Sequence, residues 1–512
     1  MQPFFDDNAC TANDKETQTK ITVAAAAIRF VRRNSIRAGK SRTAAHRDAV
    51  SASEQNFNRQ IGVTDSLMPD TALANERSCD TKDCVVLTLD RVGIRTVKSF
   101  WTLLTVTLLF YSGLPAGFAA DGKADVVFPR FRMQELATDL KVGYAVLLVD
   151  LNGDGKKDIV VVDTTRVIWY ENPTWKQRTI IQGQTKPDNV CIAAYDIDGD
   201  GQLDLALGAD WKPSNTKDSG TLQWLKRGKT LDEPWTLNPI GSEPTLHRIR
   251  FVDLDGSGKA KLVVAPLMGR QSTGAQNWVD GLPVRLLAYS IPKDPTRDRW
   301  VPEVLNESLH VVHNFFPIPS ASGKGMDLLT ASYEGVNLLA HDVSGNWNRR
   351  HVGEGNQTNP KSNRGSSEVK QGKLKNGQRF IATIEPWHGN QVVVYTPPID
   401  GEKGLWQRHV VDEHLKWGHA VWCADLDGDG DDELIIGVRD DFSKQPQERR
   451  GVRIYKAVDG TAGTWARHIL EDGGVAVEDL AAADLNGDGR IDIIAVGRQT
   501  HNLRIYWNEG VK

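Results

Sequence analysis

Asp425-Leu426-Asp427-Gly428-Asp429-Gly430-Asp431-Asp432-Glu433 runs directly into Leu434-Ile435-Ile436-Gly437-Val438, an acidic turn feeding a β-branched strand. Oxygens at turn positions 1, 3 and 5 can converge because glycine at position 6 lets the backbone fold back on itself. Position 7 offers a carbonyl and position 9 a further carboxylate, a hard oxygen set suited to Ca²⁺. The pattern recurs as Asp150, Asn152, Asp154, Asp158, as Asp196, Asp198, Asp200, Asp204, and as Asp484, Asn486, Asp488, Asp492, beside Asp425, Asp427, Asp429, Glu433. An EF-hand is excluded: position 12 of the first loop is Val161, and the flanks read as strands rather than helices. The expected role of calcium is structural, tying together the hairpin that each loop closes.

Working outward, each acidic turn lies inside a larger unit that opens on an aromatic residue: Phe131, Trp175, Trp235, Trp300, Trp347, Trp406 and Trp465. The spacings are 44, 60, 65, 47, 59 and 59 residues, with 48 from Trp465 to the end. A unit holds four short strands separated by Gly/Asp turns, such as Asp158–Val162 and Val167–Tyr170. Four strands at this period indicate a propeller blade, and seven units indicate a seven-bladed β-propeller over 131–512. The first strand of each unit is expected to be the outer strand of the preceding blade, so that 131–137 completes the seventh blade. An open β-solenoid is the alternative, disfavoured by the uneven unit lengths. Blade 3 departs from the loop pattern, with Ser257 at position 5 and Lys261 at position 9. The Lys261 ammonium is expected to neutralise Asp253 and Asp255 in place of a cation. Blades 4 and 5 carry no acidic loop.

Composition agrees with an all-β globular protein. The 512 residues have a net charge of −4 and no basic stripe, which argues against nucleic acid as a partner. Of 15 tryptophans, 14 follow residue 120, and only Cys191 and Cys423 remain there, too few for a disulfide scaffold. Residues 1–90 lack sustained periodicity and read as disordered, or as an upstream extension of the reading frame with Val92 as the true start. Residues 91–120 read as a signal peptide: Arg91, Arg95 and Lys98, then an apolar run from Phe100 to Tyr111, then Gly117 and Ala119 ahead of cleavage after Ala119 or Ala120. The apolar run is too short for a membrane span, which needs about 20 residues. The expectation is export to the periplasm or the extracellular space, with no membrane span in the mature chain.

A second constellation lies six residues before the first loop aspartate, where the innermost strand begins. Blade 6 has His419 there, blade 3 His247, blade 4 His313 by alignment, blade 7 Glu478, blade 1 Tyr144, and blade 5 Glu368 within one residue. These positions should ring one mouth of the central channel, opposite the acidic turns. Loops returning to that mouth carry Trp211, Arg270, Tyr333-Glu334, Trp387-His388, Arg439-Asp440 and Arg498, with Lys416-Trp417 just before His419. Indoles stack on sugar rings and guanidinium groups hold oxyanions, so a carbohydrate ligand is expected. His351, His409 and His468 share an outer-strand position and are read as structural.

The acidic loops and their spacing resemble the FG-GAP/VCBS family of β-propellers over 131–512. Within it, Glu385-Pro386-Trp387-His388-Gly389, Trp417-Gly418-His419-Ala420 and Gly437-Val438-Arg439-Asp440 look like the propeller domain of aldos-2-ulose dehydratase. That resemblance implies elimination of water from a ketosugar. The chain ends with the seventh blade, so the cupin and lectin-like domains of that enzyme type are not expected here, and any isomerase step they carry is in doubt. Two functions stay open. One is a carbon–oxygen lyase in which His247, His313 and His419 hold Zn²⁺ or Mn²⁺, Tyr333, His388 or Lys416 moves the proton, and Arg270 and Arg439 hold the substrate. The other is a non-catalytic propeller that binds glycans or proteins, for which a ring of histidines is not required.

Overall fold

The computed structural model describes residues 126–511 except 343, 359–362, 399–403 and 440–448. The expected signal peptide and everything before it lie outside the described residues. Twenty-eight strands, β1 to β28 in chain order, form seven antiparallel four-stranded sheets. The one short helical turn among the described residues is a 3-10 turn at Gly274–Gln276. No helix among them is long and apolar enough to cross a membrane.

Each blade is a meander whose first strand is innermost. These inner strands are β2 (Ala145–Val149), β6 (Cys191–Tyr195), β10 (Leu246–Val252), β14 (Asn314–Pro319), β18 (Val369–Lys373), β22 (Gly418–Ala424) and β26 (Val477–Ala483). Each neighbours the next around the ring, and β26 neighbours β2. The second strand of a blade is its apolar centre: β3 (Asp158–Asp163) is buried at every position, as are β7 (Asp204–Ala209) and β23 (Glu433–Val438). Two-sided burial explains why these strands read as continuous β-branched runs rather than as alternating ones. Their side chains pack against neighbouring blades, with Val160, Val162 and Trp169 of blade 1 in one cluster with Leu205, Leu207 and Trp224 of blade 2.

The ring closes as the sequence indicates. Strand β1 (Arg130–Ala137) pairs antiparallel with β28 (Leu503–Gly510), from Arg130 opposite Gly510 to Ala137 opposite Leu503. The Trp507 indole N–H donates to Gln134 Oε1 at 2.8 Å across this seam. The first strand of the described chain therefore serves as the outer strand of the last blade, which leaves that sheet no open edge at β28.

Candidate functional site

The starts of the inner strands converge at one end of the channel, and the backbone there is adapted to aim side chains inward. His247, His419 and Glu478 are each the extra residue of a β-bulge. Register jumps from Leu246 to Arg248, from Gly418 to Ala420 and from Val477 to Asp479. A bulge leaves one residue outside the ladder and re-aims its side chain. His313 and Glu368 reach the same place from positions immediately before β14 and β18. His388 comes from the loop after β19 (Arg379–Glu385), with φ of 50°, and Trp417 precedes β22 with φ of 58°, both in the left-handed region.

All four imidazoles are buried or nearly so. The ring centroid of His313 lies 4.7 Å from that of His247, 4.9 Å from His388 and 5.0 Å from His419. Nitrogens of His313, His388 and His419 all lie within 4.8 Å of one another, and the two Nε2 atoms of His313 and His388 are 3.1 Å apart. The far nitrogens are anchored. His313 Nδ1 faces Glu368 Oε1 at 2.9 Å, and His419 Nδ1–H donates to the Glu478 carbonyl. An anchored Nδ1 turns the Nε2 lone pair toward the common centre, the arrangement in which a second shell orients metal-binding histidines. Burial first, then the neighbouring Arg248 and Arg439 charges, holds His247, His388 and His419 well below the usual imidazole range. Burial lowers His313 as well. Neutral imidazole is the form that binds a metal.

The converging trio differs from the expected one. His247 touches His313, but both its nitrogens are engaged: Nδ1–H donates to the His313 carbonyl at 3.0 Å, and Nε2 accepts from Arg248 Nη1 at 3.0 Å. His388, expected as a proton carrier, stands where His247 was expected. Its Nδ1 is 3.5 Å from Arg439 Nη2.

Two carboxylates complete the site. Burial would raise Glu368, but the His313 hydrogen bond and the Arg248 charge bring it down to about 2. Glu478 is likewise penalised by burial, yet Arg439 at 2.9 Å and Arg498 at 3.1 Å hold it well below the usual carboxylate range. Three indoles flank the histidines: Trp211 at 4.8 Å from His247, the buried Trp387 at 4.9 Å from His388, and the half-buried Trp417 at 6.1 Å from His388. Lys416 is exposed at this mouth. Other expected residues are engaged elsewhere. Arg270 pairs with Glu243 at 2.6 Å, and the Tyr333 hydroxyl accepts from Arg364 Nε at 2.8 Å. Asp440 lies outside the described residues. Arg248 was missed from sequence, although two arginines, Arg248 and Arg250, following His247 in an inner strand were a visible signal.

The acidic loops sit at the other end of the inner strands. In each, the first aspartate accepts backbone N–H bonds from its own turn, as Asp484 does from Gly487 at 2.7 Å and Gly489 at 2.8 Å. The position-9 carboxylate is buried and receives the N–H of position 2: Leu151 to Asp158, Ile197 to Asp204, Leu426 to Glu433 and Leu485 to Asp492. The four loops are not equivalent. Carboxylates of Asp196, Asp198 and Asp204, and of Asp425, Asp427 and Glu433, gather within 4.8 Å. In those two loops a third-strand lysine reaches in, Lys226 to Asp198 and Lys456 to Asp427. In blade 3, the Lys261 ammonium pairs with Glu303 of the outer strand at 2.6 Å, while hydrogen bonds from Ser257 and, after them, the Lys261 charge lower the Asp255 carboxyl. The expected neutralisation by Lys261 thus reaches Asp255 as charge rather than as an ion pair among the described residues.

Residues 219–398 match the family model of the aldos-2-ulose dehydratase β-propeller domain, and 150–207 and 425–495 match that of the FG-GAP-like repeat. Aldos-2-ulose dehydratase of Phanerodontia chrysosporium is 27% identical over 415 residues, covering 76% of this chain; the matched part spans 44% of that enzyme's length. Among solved structures, two crystal structures of BBS1N in complex with ARL6DN, one soaked with mercury and one with lead, each cover 75% of this chain and 97% of theirs. Their identities are 13% and 12% and their TM-scores 0.43 and 0.45.

Proposed function

We propose that the histidine end of the channel is a metal-assisted carbon–oxygen lyase site acting on a carbohydrate that carries a carbonyl group. The observation that carries this reading is the convergence of His313, His388 and His419 nitrogens with His313 and His419 anchored at Nδ1. Three such ligands with an open position suit Zn²⁺ or Mn²⁺. When bound, the ion supplies Lewis-acid polarisation of a carbonyl oxygen. The chain's own groups do the rest. Glu368 and Glu478 fix imidazole orientation, and Arg439 is placed to hold a substrate oxygen beside His388. Trp211 and Trp417 offer indole faces to a sugar ring. Lys416, at the mouth beside Trp417, is assigned the transfer of the proton next to the carbonyl. The family-model match and the dehydratase relative support a sugar substrate and elimination chemistry. The four acidic loops are proposed as calcium sites that stabilise the blades, and the chain is proposed to be exported.

The test is metal content beside activity. His313→Ala, His388→Ala and His419→Ala should each lose the same transition metal and lower elimination from a 2-ketosugar by orders of magnitude. Lys416→Met should keep the metal and lose turnover. Full metal and full activity in all three histidine variants would overturn the histidine site, and no elimination by the unaltered, metal-loaded protein would overturn the enzyme reading and leave a glycan- or protein-binding propeller.

A further inference from the structure

Beneath the histidines the channel opens into a chamber of about 480 Å³, within the range of small-ligand sites. Inner strands of all seven blades contribute to its wall, and the histidines do not. Its charged lining is uneven: Lys157, Arg248, Arg250 and Lys370 against Glu368 and Asp479. The two carboxylates are already committed. Glu368 serves His313 at 2.9 Å and Arg248 at 3.6 Å. Asp479 accepts the backbone N–H groups of Leu480 at 3.0 Å and Val146 at 3.1 Å.

Neither Arg250 nor Lys370 has a direct ion pair with a carboxylate among the described residues, although Glu368 and Asp479 act on both at longer range. Nη1 of Arg250 is buried and has no hydrogen-bond partner, and its guanidinium lies 4.8 Å from the Phe315 ring. Lys370 is 5% exposed, and its ammonium lies over two aromatic faces, Phe316 at 5.0 Å and Trp422 at 5.4 Å. Burying two cations beside carboxylates that other partners already hold is costly, and ring faces repay only part of it. The strain shows in Lys370, which burial and then the charge of Arg250 pull down to about 8.

We propose that this chamber is a second binding site, for a small organic oxyanion whose carboxylate or phosphate group pairs with Arg250 and Lys370. A forked guanidinium on blade 3 and a point ammonium on blade 5, with only blade 4 between them, suit such a group, and the volume admits a sugar-sized body attached to it. The site is separate from the lyase reading and does not depend on a metal.

Calorimetric titration of the intact protein with inorganic phosphate, glucose 6-phosphate, gluconate and neutral glucose tests it. The anionic probes should bind and raise Tm, and glucose should do neither. Preference for glucose 6-phosphate or for gluconate tells a phosphorylated from an acidic ligand. Lys370→Met and Arg250→Gln should each weaken anion binding about ten-fold or more, with unchanged transition-metal content. Anion binding no stronger than glucose, or anion binding in both variants as strong as in the unaltered protein, would overturn the proposal. Should either variant fail to fold, crystals of the unaltered protein soaked in selenate decide it: anomalous signal between Arg250 and Lys370 supports the site, and a chamber without it refutes it.

Discussion

Lys370 shows how one side chain can make a propeller's stability depend on alkaline pH. Its native value of about 8 lies below the ordinary lysine value near 10.4. Between those values the unfolded chain holds the proton that the folded chain has released, so stability rises with pH across that window. Arg248, Arg250, Glu368 and Asp479 face it across the chamber, and burial followed by the Arg248 charge draws Arg250 down to about 10, above the pH range compared. Melting curves in anion-poor buffer at pH 7.5 and 9.5 should show this rise in the unaltered protein and lose it in Lys370→Met. A parallel rise in both would mean that another group carries it. At Glu478 a single carboxylate takes both Arg439 and Arg498. Glu478→Gln is therefore expected to loosen two arginines at once and to raise KM for a sugar more than it alters metal content. Unchanged KM with metal lost would instead give Glu478 a role in holding His419 alone.

At the scale of the element, the acidic hairpin couples a loop to a strand. Burial first, and neighbouring loop aspartates after it, raise Asp204 and Asp492 to about 6 and Glu433 to about 8. A raised carboxylate favours the folded state while protonated, so metal-free stability should fall as pH climbs from about 4 through those values. Calcium competes with the same protons. The gain in Tm on adding Ca²⁺ after EDTA should therefore be small at pH 5 and larger at pH 8; an equal gain at both would remove calcium from these loops. Much of this element was legible, since glycine at position 6 and a β-branched run after position 9 are local requirements. The His419 position was legible for the same reason, because inner strands have nearly constant length between mouth and turn. Two things were not. Lys226 and Lys456 enter the loops from the third strand, a partner fixed only by register. The exchange of His388 for His247 depends on which nitrogens a bulge and an arginine leave open, which residue spacing cannot express. The tyrosine–carboxylate–arginine clamps were equally invisible: Tyr455 to Asp412 at 2.8 Å with Arg467, and Tyr506 to Glu471 at 3.1 Å with Arg504, each tie a third strand to the preceding blade.

For the whole molecule, stability rests on ring closure. Removing 126–137 takes away β1 and exposes β28 as an edge with unpaired N–H and C=O groups. Such a truncated protein should melt several degrees lower and self-associate, which light scattering during a thermal ramp would detect; an unshifted melting point would show that the ring tolerates an open seam. The seam also sets an order of events. Gln134 and Trp507 are 373 residues apart in the chain, yet they share a hydrogen bond. Contacts of such separation form late, because their loop-closure entropy must be met before any pairing rewards it. Strand β1 thus has no partner until β28 follows, and six blades can assemble in sequence while the seventh waits. A chain stalled before Leu503 would carry β1 as an unpaired strand, vulnerable to proteolysis and open to pairing with the β28 of another copy.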